Sequence, residues 1–153
     1  MNNELKMRYL AIDYGEKRTG LAICDAGETI AVPLAVIQTQ REPLRKIADI
    51  VRKENVEAIV LGLPLNMDDS EGPQAKFVLK FAEQLRQHLD SLLRRSGCEG
   101  RIPIHFQDER LSSFTAEEKL APADFTRGKK RKHLDAVAAA AILEAFLQAK
   151  KTP

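Results

Sequence analysis

Cysteine is scarce in this chain: Cys24 and Cys98 are the only two. Two isolated cysteines make neither a zinc set nor a disulfide framework. Cys24, inside an apolar run, reads as a small buried residue, and Cys98 falls in a glycine-containing turn. Long apolar runs are missing too: no stretch approaches the roughly 18–20 residues a membrane-spanning helix needs. Met1-Asn2-Asn3-Glu4-Leu5-Lys6 has no apolar core of the signal-peptide kind. The expectation is a cytoplasmic protein with no membrane partner. Internal repeats, low-complexity tracts and dividing linkers are absent. At 153 residues, 44% hydrophobic and 30% charged, the chain suits one soluble globular domain, residues 1–153.

What is present alternates. Residues 8–13 read as a strand, Gly15 to Gly20 hold a turn, and Thr19–Cys24 make a second strand. Thr29–Ile37 is a third strand, with Pro33 marking an edge or a bulge. The period then changes. Pro43 sits at a helix start, and Leu44, Ile47, Ala48 and Val51 keep helical spacing. Val56–Leu63 is nearly continuously apolar, as a strand covered on both faces would be. Pro64–Gly72 is a polar loop with little apolar material to pin it, so it is expected to be mobile. Pro73 opens a long helix with Val78, Phe81, Leu85, Leu89 and Leu92 inward, and Arg101–Gln107 is the last strand. Ser113–Leu120 reads as a short helix and Leu134–Ala149 as a final amphipathic one. The order β-β-β-α-β-α-β-α-α implies an α/β fold: one five-stranded mixed sheet, three strands antiparallel, with helices on both faces.

Three carboxylates fall at element ends that such a fold can bring together. Asp13 closes an apolar strand, Asp108-Glu109 closes another, and Asp135 opens the final helix pattern. Converging acids repel, and a hard divalent cation, Mg²⁺ or Mn²⁺, relieves that repulsion. One or two such ions are the equipment of phosphodiester hydrolysis. Each acid also has a plain structural reading. Asp13 and Asp108 could start turns, and an acid in the first helical turn is favoured by the macrodipole whatever its function. His88 and His105 have no ligating neighbours in sequence and read as structural or exposed; His133 reads as a basic contact.

The net charge of +2 says little, but its distribution says more. Arg127, Lys129, Lys130, Arg131 and Lys132 crowd just before Asp135, and Lys17 and Arg18 follow Asp13. Taken alone, a basic run is a solvated surface. Two groups beside candidate ligands suit a polyanion instead, held by phosphate contacts that position without reading sequence. No aromatic residue interleaves the block, so base stacking there is not indicated.

Ala11-Ile12-Asp13-Tyr14-Gly15, Arg18-Thr19-Gly20-Leu21-Ala22 and Gly62-Leu63-Pro64-Leu65-Asn66-Met67-Asp68 resemble, in order, motifs of the YqgF family, as do Asp108-Glu109-Arg110-Leu111-Ser112-Ser113 and Asp135-Ala136-Val137-Ala138-Ala139. That family is similar to RuvC-type resolvases and has the ribonuclease H-like fold. Its members are described as pre-16S rRNA nucleases and as Holliday junction resolvases. The resemblance implies a metal-dependent nuclease with Asp13, Glu109 and Asp135 as catalytic metal ligands. Asp108 stands behind them as a supporting candidate. Lys17, Arg18, Asn66, Arg110, Ser112, Lys129, Lys130, Arg131 and Lys132 are then the expected substrate contacts. The chain departs from the family at Asp69, where glycine is usual, which adds charge near the presumed site.

The expected partner is nucleic acid: precursor rRNA, with branched DNA as the alternative. The chain would act as a monomer or weak homodimer, since no apolar helix face stands out as reserved for a partner. Two other readings remain open at this point. One is a non-catalytic nucleic-acid-binding module on the same fold. The other is an actin- or sugar-kinase-like phosphate hairpin, which would need a second domain to close over ATP.

Overall fold

The computed structural model describes residues 6–98, 100–111 and 127–151, with backbone alone at 111 and 127–133. In chain order the elements are β1 (Tyr9–Tyr14), β2 (Arg18–Cys24), β3 (Ala31–Gln38), α1 (Pro43–Lys53), β4 (Ala58–Leu63), α2 (Pro73–Arg95), β5 (Ile104–Asp108), a single 3₁₀ turn (Glu109–Leu111) and α3 (Arg127–Lys151). The sheet has five strands in the order β3-β2-β1-β4-β5. β1–β2 and β2–β3 are antiparallel, while β4 runs parallel to both β1 and β5. This is the mixed α/β sheet that the alternation of periods implied.

β1 and β4 lie inside the sheet and are covered on both faces, which is why they read as unbroken apolar runs. Alternate residues face opposite layers. Leu10, Ile12, Leu21, Ile59 and Leu61 pack with Ile47, Val51, Val78, Phe81 and Leu85 beneath α1 and α2. Large side chains fill this layer with little or no solvent contact, and truncating the fully buried Leu61, Leu61→Ala, costs about 2–5 kcal/mol. The opposite layer is different in kind. Ala11, Ala22, Ala58 and Val60 meet Ala139, Ala140, Ile142 and Leu143 of α3. Small residues on both sides let α3 approach the strands closely.

Pro33 sits on the edge strand β3, and the register slips between Leu21 and Ala22, which pair with Ala35 and Pro33. Proline removes a ladder donor, so an edge at a bulge is where it is tolerated. Pro43 and Pro73 each occupy the first turn of their helix, where no donor is lost. Two expectations differ. The short helix over Ser113–Leu120 lies outside the described residues. The final helix begins at Arg127, seven residues before Leu134. The apolar stripe marks only the part of α3 that packs, whereas Lys and Arg extend a helix on propensity alone.

Candidate active site

The site is built around one row of residues across the sheet. Asp13 on β1 pairs with Gly20 on β2. Ile12 pairs with Leu61, so the next residue of β4, Gly62, flanks Asp13 on its other side, and Gly62 in turn pairs with Gln107. Asp13, Gly20 and Gly62 share the alternation of Ala11, Ala22 and Val60, and therefore face α3. Asp13 thus stands between two positions that have no side chain.

Both vacancies are filled by other acidic residues. A Cβ on Gly20 would lie 2.5 Å from the carbonyl carbon of Asp135, closer still to its oxygen, and 3.1 Å from the nitrogen of Ala136. A Cβ on Gly62 would lie 2.6 Å from Oε1 of Glu109 and 2.7 Å from Cδ1 of Ile142. The backbone of Asp135 and the carboxylate of Glu109 therefore rest on the two glycines, one on each side of Asp13. From the sequence, Gly20 bounds a turn while counting in the strand Thr19–Cys24, and Gly62 counts in the strand Val56–Leu63, without either glycine being assigned a part in the site. The available signal was glycine inside a buried strand, which marks a close approach by another group.

The carboxyl groups of Asp13 and Glu109 are hydrogen-bonded. Burial pushes Glu109 up to about 8, with further contributions from the charge of Asp13, the bond to it, and Asp108. Asp13 is also raised, first by burial and then by repulsion from Asp135, while the bond from Glu109 opposes the rise. Each carboxyl opposes full ionisation of the pair, and Glu109 is the more strongly raised of the two. Two acids pushed upward by burial and by each other mark a functional-site candidate, with a physical reason for the shift.

Asp135 lies eight residues beyond Arg127 rather than in the first turn of its helix. The macrodipole account of this acid therefore does not apply. Its carboxylate accepts a hydrogen bond from Nε of Arg18 at 2.6 Å. The hairpin turn carrying Arg18 is tied down by Thr39. Its N–H donates to the Lys17 carbonyl at 3.0 Å, its hydroxyl donates to the Gly15 carbonyl at 2.7 Å, and its Oγ1 lies 2.7 Å from that of Thr19. Lys17 itself is exposed. On the opposite face, Tyr14 stacks on Phe81 at 3.8 Å between centroids, fixing the end of β1 against α2.

The remaining candidates form a second cluster. Asp108 accepts from the Arg110 backbone N–H at 2.9 Å and from Nε at 3.0 Å. The same guanidinium donates to Oδ1 of Asp69 at 2.7 Å and to the Asn66 carbonyl at 2.8 Å. Asp69 adopts φ 69°, the left-handed region that favours glycine. The 64–72 loop is also closed on itself, with Asn66 N–H donating to the Ser70 carbonyl at 2.9 Å and Ser70 N–H donating to Asp68 at 3.1 Å. Polar bonds pin this segment where apolar contacts do not. Arg110, expected at the substrate, is in this structure the clasp between loop and sheet. Ser112 lies outside the described residues, as do the side chains of Lys129, Lys130, Arg131 and Lys132. His105 packs against the rings of Tyr9 and Phe146. Cys24 is buried and accepts the Tyr9 N–H, while Cys98 is exposed.

Three oxygen-donor acids around one row fit a hard divalent cation by chemistry. Among the described residues, no group of three His, Cys, Asp or Glu side chains is gathered closely enough to hold a metal ion. Asp13 and Glu109 hold each other, and Asp135 is turned onto Arg18.

Comparison with known proteins adds the following. The profile of the RuvX family, described as Holliday junction resolvase, matches residues 7–149. A protein of Caldanaerobacter subterraneus subsp. tengcongensis, provisionally named pre-16S rRNA nuclease, is 41% identical over 148 residues, covering 95% of this chain and 99% of that protein. One of Anaeromyxobacter sp. strain Fw109-5 with the same provisional name is 41% identical over 143 residues, covering 92% and 96%. Among solved structures, Thermus thermophilus RuvC in complex with a Holliday junction superposes with a TM-score of 0.56 at 15% identity, over 94% of this chain and 96% of that one. The yeast mitochondrial Holliday junction resolvase Ydc2 gives 0.51 at 13% identity, over 95% and 81%. These likenesses give the fold, that of RuvC-type, ribonuclease H-like proteins.

Proposed function

The chain belongs to the RuvX family of Holliday junction resolvases, and from that premise we propose that it is a metal-dependent endonuclease that processes the 5′ end of precursor 16S rRNA. The observation that carries this reading is the row Gly20–Asp13–Gly62, with the Asp135 backbone and the Glu109 carboxylate seated on its two glycines. A fold has no need to hold two half-buried acids in contact beside a third, since taking carboxylates even partly out of water is costly. A nuclease has that need.

Asp13, Glu109 and Asp135 would hold the divalent cation. When bound, it supplies Lewis acidity at the phosphate and lowers the pKa of the attacking water. The protein's own groups do the rest. Asp13, fixed in the sheet, sets the position of the site. Glu109 would serve as a ligand in its ionised form, its proton released to solvent. Lys17 and the 127–132 block offer charge to the phosphodiester backbone, which positions the strand without reading its sequence. The relatives' provisional names support the rRNA substrate. Such a substrate puts the work in the cytoplasm, and a single cut asks only for a monomer. No helix among the described residues is long and apolar enough to cross a membrane.

The family's description supports a second substrate, the four-way DNA junction. Cutting that substrate symmetrically needs two active sites. The test is the purified protein on precursor 16S rRNA and on a four-way junction, with Mn²⁺ and with chelator. Metal-dependent cleavage of the rRNA precursor alone is expected. Cleavage of the junction alone would move the substrate to DNA, and no cleavage of either would leave a binding module.

A further inference from the structure

Arg18 opens β2, two residues before Gly20, so the two positions share a face of the strand. Gly20 admits the backbone of Asp135, and Arg18 grips the carboxylate of that same residue through Nε at 2.6 Å. The two side chains are 31% and 28% exposed, which puts the pair at the mouth of the site. A partly exposed ion pair adds only about 0–1 kcal/mol of stability, so stability alone gives little reason for this one. Its geometry gives a better one. A guanidinium carries five donors in a rigid fork. Among the described residues, only Nε is engaged. The two terminal nitrogens of Arg18 and Oδ1 of Asp135 have no hydrogen-bond partner there. One half of each group is therefore committed, and none of the described residues engages the other half.

We infer that Arg18 is a positioning residue with two contacts: Nε orients Asp135, and the terminal nitrogens take a phosphate of the nucleic-acid backbone. Phosphate is the ligand that suits a planar fork, and it is also what a site lined with carboxylates must be helped to accept. Ligand orientation and capture of the strand are then coupled through one side chain. Lysine, a point charge on a flexible stem, can supply the phosphate contact but cannot hold Asp135 with the same fork. The inference rests on the reading of Asp13, Glu109 and Asp135 as the metal-holding set.

The experiment uses the full chain, with folding checked by thermal melting. Mn²⁺ affinity is measured without nucleic acid by calorimetry for wild type, Arg18→Gln, Arg18→Lys and Asp135→Asn. The salt dependence of binding to a single-stranded RNA is measured in Ca²⁺. Both Arg18 variants are expected to lose about 10–100-fold in Mn²⁺ affinity, the range for removing a group that orients a ligand. Arg18→Gln is expected to flatten the slope of log affinity against log salt by roughly 0.7, one single-strand phosphate contact, while Arg18→Lys keeps it. Unchanged or tighter Mn²⁺ binding in Arg18→Gln overturns the orienting role, and an unchanged salt slope overturns the phosphate contact. If Asp135→Asn binds Mn²⁺ like wild type, the site reading itself fails. If Asp135→Asn loses Mn²⁺ and Arg18→Gln does not, only the role of Arg18 falls.

Discussion

Gly20→Ala is the substitution that most sharply separates a seat for Asp135 from a conformational convenience. The new Cβ would lie 2.5 Å from the carbonyl carbon of Asp135, and ordinary contact begins at 3.4 Å. The backbone of α3 must therefore withdraw by at least about 0.9 Å, the difference of those two distances. The offending atoms are backbone, so no side-chain rotation relieves the clash. Overpacking of this kind costs about 1–3 kcal/mol, and a fixed obstacle belongs at the upper end. For a domain of about 150 residues, a loss of about 3 kcal/mol lowers the melting temperature by roughly 6–12 °C. A displacement near 1 Å in a catalytic group costs about 10²-fold in rate. Gly62→Ala is the matched comparison. Its clashes are with the ends of the Glu109 and Ile142 side chains, which can turn aside. The expected pattern is a similar loss of cleavage with a smaller fall in melting temperature, nearer about 1 kcal/mol. The assays are thermal melting and single-turnover cleavage in Mn²⁺. A Gly20→Ala protein that melts within a degree of wild type and cleaves at full rate would refute the reasoning.

Three other outcomes follow from the same geometry. Asp69→Gly removes an ion-pair partner whose side chain is 83% exposed, and it also removes a left-handed backbone cost at φ 69°, so stability should change by less than about 1 kcal/mol. RNA affinity at low salt should rise because one carboxylate facing the phosphates is gone, and the gain should shrink as salt is added; equal affinities in 50 and 200 mM salt would count against it. The folded protein holds the Glu109 proton up to about 8, against 4.5 for the free group, so this contribution is fully present below about 4.5 and is lost as pH rises through about 8. Melting of the metal-free wild type, compared with Glu109→Gln, should show that decline only in wild type; parallel curves would remove Glu109 as its source. Neutralising Lys129, Lys130, Arg131 and Lys132 together should weaken RNA binding about equally across sequences and flatten the salt slope by roughly 0.7 per lost contact, whereas an unchanged slope would mark the block as solvated surface.

Much of the fold was legible because the period of apolar residues changes with the element. Val56–Leu63 announced an inner strand by its continuity, and Val78, Phe81, Leu85 and Leu89 announced the helix over it. The start of α3 was not legible, because its first residues carry charge instead of an apolar stripe. The three acids were visible as strand ends and a helix pattern, but their seating was not. Gly20 and Gly62 matter through what approaches them from elsewhere in the chain, which no local pattern records. Asp69 was flagged as a departure from the family. Its pairing with Arg110 across 41 residues is a tertiary fact.

The account's central claim is that Asp13, Glu109 and Asp135 act together on one cation. The most direct measurement is single-turnover cleavage of precursor 16S rRNA in Mn²⁺ by Asp13→Asn, Glu109→Gln and Asp135→Asn, each confirmed as folded, with Mn²⁺ affinity measured on the same samples. The account predicts that every one of the three loses detectable cleavage and binds Mn²⁺ more weakly than wild type. Near-wild-type cleavage by any one of these folded variants would contradict it.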